Sequence, residues 1–158
     1  MTDPFLSDSR SATVPDKGNR LRILVVDDEP AVREVAVAVL ESLGFGAESA
    51  IDAREALLRL ADPAFAPVAV LTDFQMPGLD GLGLAREIRR RRPGLPVIVA
   101  SGRFEETAIT GLRGLGVTEL LPKPFEEARL VEALRRVLGE GASAVDSTTP
   151  MRLQQLTP

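Results

Sequence analysis

The chain has 158 residues, a net charge of −4 and hydrophobic residues at 44 % of its positions, which is typical of a single globular domain. It contains no cysteine and no histidine, and this excludes disulfide bonds, zinc sites built on those residues, a thiol nucleophile and an imidazole base. The acidic charge argues against binding to nucleic acid or to an anionic membrane surface. No apolar stretch approaches the roughly 18 residues of a membrane span and the N-terminus has no signal-peptide core, so a cytoplasmic protein is predicted.

The two ends of the chain differ in composition from its middle. Residues 1–20 are rich in Ser, Asp and Pro and lack apolar periodicity, and residues 140–158 are similar. These segments are predicted to be a flexible leader and a flexible C-terminal tail around one folded domain at residues 21–139. The roughly 19 residues that follow this domain are too few for an attached output domain, so none is expected.

Within residues 21–139, short apolar runs alternate with helical patterns. The predicted strands are Leu21–Val26, Gly46–Ala50, Val68–Thr72, Val97–Ser101 and Glu119–Leu121. The predicted helices that follow them are Pro30–Leu43, a helix opened by Asp52, Leu79–Arg91, Glu105–Leu115 and Glu126–Leu138. Gly44 suits the end of the first helix, and Asp52 with Glu55 three residues later forms a capping-box pattern at the start of the second.

Five βα units with short connections predict an α/β fold, with helices on both faces of a parallel sheet. Strands one, three and four are continuous apolar runs, as expected of strands buried on both faces, whereas strands two and five have the character of edges. A flavodoxin-like (βα)5 doubly wound sheet with strand order 2-1-3-4-5 satisfies these constraints and permits right-handed crossovers. Its ligand crevice would lie beyond the carboxyl ends of the strands, where strands one and three diverge.

Charged and hydroxyl side chains follow four of the five predicted strands. Asp27 and Asp28 end strand one, Asp73 ends strand three, Ser101 ends strand four and Lys123 follows strand five. Carboxylates that converge within about 4–6 Å repel one another unless a cation joins them, and their oxygens favour a hard ion such as Mg²⁺. With histidine and cysteine absent, the plausible covalent nucleophile is a carboxylate, which would form an acyl phosphate. Lys123 would then offset the phosphoryl charge, and Ser101 would donate a hydrogen bond to it.

Each of these residues also has an ordinary structural interpretation. Asp28 or Glu29 could cap the next helix, Lys123 could be a surface lysine, and Ser101 could be a turn residue. The basic run at residues 89–92 is predicted to be a solvated helix end, where cations are favoured by the helix macrodipole. The coincidence of four strand ends at one crevice nevertheless favours a functional site.

Four segments resemble the receiver domain of two-component response regulators. They are Val25–Pro30, Thr72–Gly81, Ala100–Gly102 and Lys123–Phe125, and the resemblance extends over about residues 21–139. It implies that Asp73 is the phosphoacceptor and that Mg²⁺ is held by Asp27, Asp28, Asp73 and the backbone carbonyl of Gln75. It further implies that Ser101 is the switch hydroxyl and that Lys123 contacts the phosphoryl group.

The same resemblance implies that the Lys123–Pro124 peptide bond is cis. Gln75 and Arg103 occupy variable positions, two residues beyond the acceptor and the switch hydroxyl, which tune dephosphorylation in the family. Arg103 either shields a phosphoryl oxygen or points to solvent. Leu120 stands where receivers usually carry Tyr or Phe, so the usual aromatic readout of activation is in doubt.

The helix predicted at residues 105–115 contains or adjoins Gly111, Gly114 and Gly116. An internal glycine costs about 1 kcal/mol relative to alanine, so this helix is expected to be weak. The alternative is that the glycines permit close packing, with Gly116 as the C-terminal cap. We hypothesise that activation shifts or orders this helix, and that its exposed face, with Leu120 and the last helix, binds a partner.

The resemblance implies a phosphoryl donor that is a sensor histidine kinase or a histidine phosphotransfer protein. The output would be an unknown downstream protein, and the chain itself a monomer or weak homodimer and not a turnover enzyme. A phosphorelay shuttle or phosphate sink is the alternative function, and the receiver of a hybrid kinase is a possible origin. Dinucleotide, flavin and phosphatase sites are disfavoured because the turn at Asp27–Glu29 is acidic and lacks both a glycine-rich loop and a D-x-D pattern.

Overall fold

The computed structural model describes residues 20–139, and the predicted tail and all but the last residue of the predicted leader lie outside this range. The strands are β1 (Arg22–Val26), β2 (Gly46–Ala50), β3 (Ala69–Asp73), β4 (Val97–Ser101) and β5 (Glu119–Pro122). The helices are α1 (Pro30–Ser42), α2 (Ala53–Ala61), α3 (Gly81–Arg91), α4 (Glu106–Gly114) and α5 (Glu127–Leu138). Within the described range, no helix combines the length and apolarity needed to cross a bilayer.

The five strands form one parallel sheet in the order β2-β1-β3-β4-β5, which confirms the predicted fold class and strand order. Every residue of β3 and β4 is buried, whereas only the last residue of β2 is. The difference follows from position, because central strands are covered on both faces by helices and edge strands are not.

Apolar side chains form one core layer on each face of the sheet. Leu24 and Val70 point toward α2, α3 and α4 and pack with residues such as Leu84. Ile23 and Leu71 point to the other face, toward α1 and α5. Because successive side chains alternate between the two faces of a strand, these short strands fill both layers.

Side-chain and glycine caps define the ends of several helices. Asp52 accepts a hydrogen bond from the backbone N–H of Glu55 at 2.8 Å, and the Glu55 carboxylate accepts one from the N–H of Ile51 at 2.7 Å. The predicted capping box is therefore present, although its second bond is made one residue before the usual position. Gly116 has φ +80° and follows α4, which confirms it as the C-terminal cap.

The basic run at residues 89–92 is only partly the solvated helix end that its charge predicts. Arg90 and Arg91 do lie at the surface and pair with Glu87. Arg89 and Arg92 instead turn toward the protein and donate to backbone carbonyls of the neighbouring helix ends and loops. Their acceptors are Pro93, Leu95, Leu115 and Gly116 for Arg89, and Leu60, Asp62 and Phe65 for Arg92. The prediction was wrong for these two because the last carbonyls of a helix lack partners within it and attract donors from adjacent helices.

Candidate functional site

Three carboxylates meet at the carboxyl edge of the sheet, just beyond β1 and at the end of β3. Asp27, Asp28 and Asp73 each offer an oxygen, and these oxygens all lie within 4.8 Å of one another. Asp27 and Asp73 are buried, with 4 % and 7 % of their surface exposed, whereas Asp28 is exposed. Two carboxylates of the cluster are therefore held inside the protein, and the third faces solvent.

Asp27 is held through all of its polar groups. Its N–H donates to the carbonyl of Ala50 at 3.2 Å, and its own carbonyl accepts from Nη1 of Arg33 at 2.7 Å. One carboxylate oxygen accepts from the N–H of Glu29 at 2.9 Å, and the other accepts from Nζ of Lys123 at 2.7 Å. Glu29 occupies the N-cap position of α1, as one of the two candidates, but its side chain makes no capping bond.

Lys123 lies between two of the carboxylates. Its Nζ is 2.7 Å from Oδ2 of Asp27 and 3.2 Å from Oδ1 of Asp73. Burial lowers the pKa of Lys123, but the hydrogen bonds and charges of the two aspartates outweigh burial and leave this pKa above its usual value. Lys123 is thus a fixed cation of the cluster, and its interpretation as an ordinary surface lysine is wrong.

Burial raises the pKa of Asp73, and the charges of Asp27 and Asp28 add to this effect. The hydrogen bond and charge of Lys123 act in the opposite direction without cancelling it. Three carboxylates against one ammonium leave two uncompensated negative charges when all four groups are ionised. An all-oxygen cluster of this charge, open to solvent on one side, fits a hard divalent cation such as Mg²⁺.

The Ser101 hydroxyl lies at the end of β4 and is engaged by its own loop. It donates to the carbonyl of Arg103 at 2.7 Å and accepts from the N–H of Arg103 at 3.2 Å. Ser101 is buried, whereas Arg103 and Gln75 are both exposed. The hydroxyl has a single proton, so it must give up the bond that it donates to the Arg103 carbonyl before it can donate to a group bound at the acidic cluster.

The residues around the loops complete the site. The Lys123–Pro124 peptide bond is cis, as the resemblance implies. Leu120 is half-buried and packs against the core layer beneath α3 and α4, where Phe104 also packs. The rings of Phe104 and Phe74 have centroids 6.3 Å apart at an interplanar angle of 58°, so an aromatic contact links the residue after Asp73 to the β4–α4 loop.

Two residues that support the site had no role in the sequence-based prediction. A Cβ added to Gly81 would lie 2.8 Å from the carbonyl oxygen of Asp73 and 2.8 Å from Cα of Phe74, so only glycine lets α3 begin this close to the acceptor. Arg33 contacts the carbonyl of Asp27 from the first turn of α1. Gly81 belongs to one of the matching segments, but no sequence pattern showed that Arg33 would reach back to the loop before its helix.

Known proteins are similar to this chain in sequence and in fold. The family model of the response regulator receiver domain matches residues 23–135. The response regulator MprA of Mycolicibacterium vanbaalenii is 36 % identical over 144 residues, which are 87 % of this chain and 62 % of that protein, so this chain spans less than two thirds of MprA.

Solved receiver structures are matched over almost their whole length. The receiver domain of NtrX from Brucella abortus is 39 % identical with a TM-score of 0.67, over 73 % of this chain and 97 % of that one. The response regulator TrrA from Thermotoga maritima, in complex with Mg²⁺ and BeF, is 30 % identical with a TM-score of 0.66, over 75 % of this chain and 99 % of that one. On its sequence, fold and strand-end cluster, the chain belongs to the response regulator receiver domain family.

Proposed function

We propose that this chain is a phosphoacceptor of a two-component pathway, in which Mg²⁺-dependent phosphorylation of Asp73 changes a protein-binding surface. A sensor histidine kinase or a histidine phosphotransfer protein would supply the phosphoryl group. The observation that carries this proposal is the meeting of Asp27, Asp28 and Asp73 within 4.8 Å, with Lys123 against two of them. Membership of the receiver family and the Mg²⁺ and BeF in the related TrrA structure support it.

Each step of the phosphoryl transfer can be assigned to a group of the acidic cluster. A carboxylate oxygen of Asp73 would attack phosphorus, and the bond between phosphorus and the donor would break with its electron pair leaving on the donor. Mg²⁺, held by Asp27, Asp28, Asp73 and the carbonyl of Gln75, would neutralise the charge that develops between donor and acceptor. Lys123 would pair with the new phosphoryl oxygens. The chain itself would be the acceptor of the phosphoryl group, so we class the protein as a switch and not as a turnover enzyme.

Acetyl phosphate tests the proposal directly. With Mg²⁺ present, the chain is expected to gain the mass of one phosphoryl group, and EDTA is expected to prevent this, because uncompensated carboxylates repel an anionic donor. Intact-protein mass spectrometry at short reaction times gives the measurement. Equal labelling with and without EDTA would contradict the role of the metal, and no labelling under either condition would contradict the proposed function.

We further propose that the signal leaves the site through the β4–α4 loop and α4. Turning the Ser101 hydroxyl toward a phosphoryl group breaks the bond that it donates to the Arg103 carbonyl, and this loosens the loop that the bond closes. Phe104 lies in that loop and packs near Phe74. At the position of the usual aromatic switch, Leu120 has no hydroxyl to donate and no flat ring to rotate, which makes movement of the loop and helix the simpler response.

The glycines of α4 differ in their surroundings. A Cβ on Gly111 would lie 3.2 and 3.3 Å from the two terminal methyl carbons of Leu82, so this glycine brings α4 close to α3. A Cβ on Gly114 would meet nothing within 4 Å. Close packing therefore explains Gly111 but not Gly114, which weakens the last turn of α4 without a compensating contact.

Hydrogen exchange with and without beryllofluoride and Mg²⁺ is expected to change protection in the β4–α4 loop and at Glu106–Gly114, more than in α1. The Gly114→Ala variant should show higher protection of α4 in the free state, because alanine favours the helix by up to about 1 kcal/mol. In that variant, beryllofluoride and Mg²⁺ should still change the protection of the β4–α4 loop. If α4 and its loop do not respond while another face does, the output surface lies elsewhere.

A phosphorelay shuttle or phosphate sink is the second candidate, and the exposure of Gln75 and Arg103 favours it, because exposed neighbours leave an acyl phosphate open to water and to a second acceptor. Capture of proteins by the chain loaded with beryllofluoride, compared with the unloaded chain, separates the two functions. A partner retained only by the loaded form indicates an effector switch. Transfer of labelled phosphate to a histidine phosphotransfer protein, with no such partner, indicates a shuttle.

A further inference from the structure

The loop between β1 and α1 is fixed from the helix side by one arginine. Nη1 of Arg33 donates to the carbonyl of Asp27 at 2.7 Å. Arg33 is itself well placed, since its N–H donates to the carbonyl of Glu29 at 3.0 Å and starts the helical hydrogen-bond pattern. The Arg33 contact is partly buried, so it is partly shielded from competing water.

The carbonyl that Arg33 holds belongs to the peptide group that joins Asp27 to Asp28. The direction of this peptide group determines where the Asp28 backbone begins and hence where its carboxylate can reach. Asp27 has other anchors, since Lys123 and Glu29 both donate to its side chain. Asp28 is exposed, and among residues 20–139 no donor contacts its carboxylate, so its placement depends on the backbone alone.

We propose that Arg33 is a positioning residue for Mg²⁺, acting through the Asp27–Asp28 peptide group to hold the Asp28 carboxylate toward the other two. The inference rests on the proposed function, because it assigns Arg33 to the same metal site. Groups that orient a metal ligand from outside the ligand set commonly change metal affinity by about 10–100-fold when removed. The side chain of Arg33 bonds to the Asp27 carbonyl and not to the Asp73 carboxylate, so its effect is expected on metal binding and not on the transfer step.

The sign of the effect distinguishes positioning from charge. A guanidinium near a cation site repels the cation, so removal of the charge alone would tighten Mg²⁺ binding. Removal of a group that holds a ligand would weaken Mg²⁺ binding. Arg33→Met removes both the charge and the hydrogen bond, whereas Arg33→Lys keeps the charge and changes the geometry of the donor.

Calorimetric titration of the full chain with MgCl₂ measures this effect without phosphorylation. We expect Arg33→Met to bind Mg²⁺ about tenfold more weakly than the wild type and Arg33→Lys to lie between them. Arg54→Met is the matched control, because Arg54 is an exposed arginine in the first turn of α2 at the same edge of the sheet. Its affinity is expected to be unchanged or slightly higher. Circular dichroism in EDTA shows which variants are folded. If Arg33→Met is unfolded, the comparison of Arg33→Lys with the wild type provides the test.

The dependence of labelling on Mg²⁺ provides the second readout. If Arg33 positions a metal ligand, saturating Mg²⁺ should restore the rate of labelling by acetyl phosphate in Arg33→Met to near the wild-type rate. Wild-type or tighter Mg²⁺ binding in the folded Arg33 variants would overturn the inference and leave the proposed function intact. Failure of the wild-type chain to bind Mg²⁺ at all would overturn both.

Discussion

Asp73→Asn is expected to abolish labelling by acetyl phosphate, because an amide oxygen cannot replace the carboxylate as nucleophile. Asp27 and Asp28 are still present in this variant, so the experiment also tests whether a neighbouring carboxylate can replace Asp73 as the acceptor. Asp62→Asn is a suitable control. Asp62 is exposed at the C-terminus of α2, and its side-chain oxygen accepts from the N–H of Ala64 at 2.9 Å, a bond that asparagine can keep. Wild-type labelling of Asp73→Asn in mass spectrometry would remove Asp73 as the acceptor.

The same substitution has an expected effect on stability. Burial, with the charges of Asp27 and Asp28, holds the pKa of Asp73 above its usual value in the folded chain. An ionised Asp73 therefore costs folding free energy at pH values above this raised pKa, and neutral asparagine should raise the free energy of unfolding there. The gain should disappear as the pH falls from the folded pKa to the lower pKa of the unfolded chain, because the wild-type residue then becomes neutral too. Urea unfolding in EDTA at several pH values provides the measurement, and a gain that grows toward low pH would contradict this explanation.

Gly81→Ala is expected to have the second large effect. Its Cβ would lie 2.8 Å from the carbonyl oxygen of Asp73 and 2.8 Å from Cα of Phe74. Both atoms belong to the backbone of Asp73 and Phe74. The Phe74 carbonyl also accepts a hydrogen bond from the N–H of Gly81 at 2.8 Å. Relief of the overlap requires a shift of α3 or of the end of β3. We expect a loss of about 3 kcal/mol in the free energy of unfolding.

A shift at the end of β3 should also slow phosphorylation, since misplacement of a reacting group by about 1 Å can cost about 100-fold. Gly83→Ala is the matched control in the same helix. Its Cβ would overlap Cδ1 of Leu79, but the Leu79 side chain is 40 % exposed and has room to turn away. Alanine favours a helix over glycine by about 1 kcal/mol, which offsets this adjustment. Equal losses of stability and labelling rate in the two variants would show that contact with the acceptor backbone is not the cause.

The fold could be predicted because its determinants are local or periodic. Val68–Leu71 and Val97–Ala100 are uninterrupted apolar runs. Strands that are buried on both faces of a sheet have this composition, so these two were predicted to be central. The caps at Asp52 and Gly116 could be predicted because a side chain or a left-handed backbone satisfies groups within a few residues of itself. The meeting of Asp27 with Asp73 could be predicted because the carboxyl ends of adjacent parallel strands lie at one edge.

The tertiary structure alone decided which partners the longer side chains reach. The charge pattern of residues 89–92 is uniform, yet Arg89 and Arg92 bond to neighbouring helix ends while the two between them face solvent. Their side chains have several rotatable bonds, and the carbonyls that they reach lie up to 32 positions away in the sequence.

The same limit applies inside the site. The residue types at the strand ends, read from the sequence, already indicated an acidic cluster with a lysine and a hydroxyl. They could not show that Ser101 is bonded to its own loop, that Gly81 lies against the acceptor backbone, or that Arg33 holds the carbonyl of Asp27. Each of these depends on distances set by the packing of a helix against the sheet, and a difference of about 1 Å in that packing decides whether the contact exists.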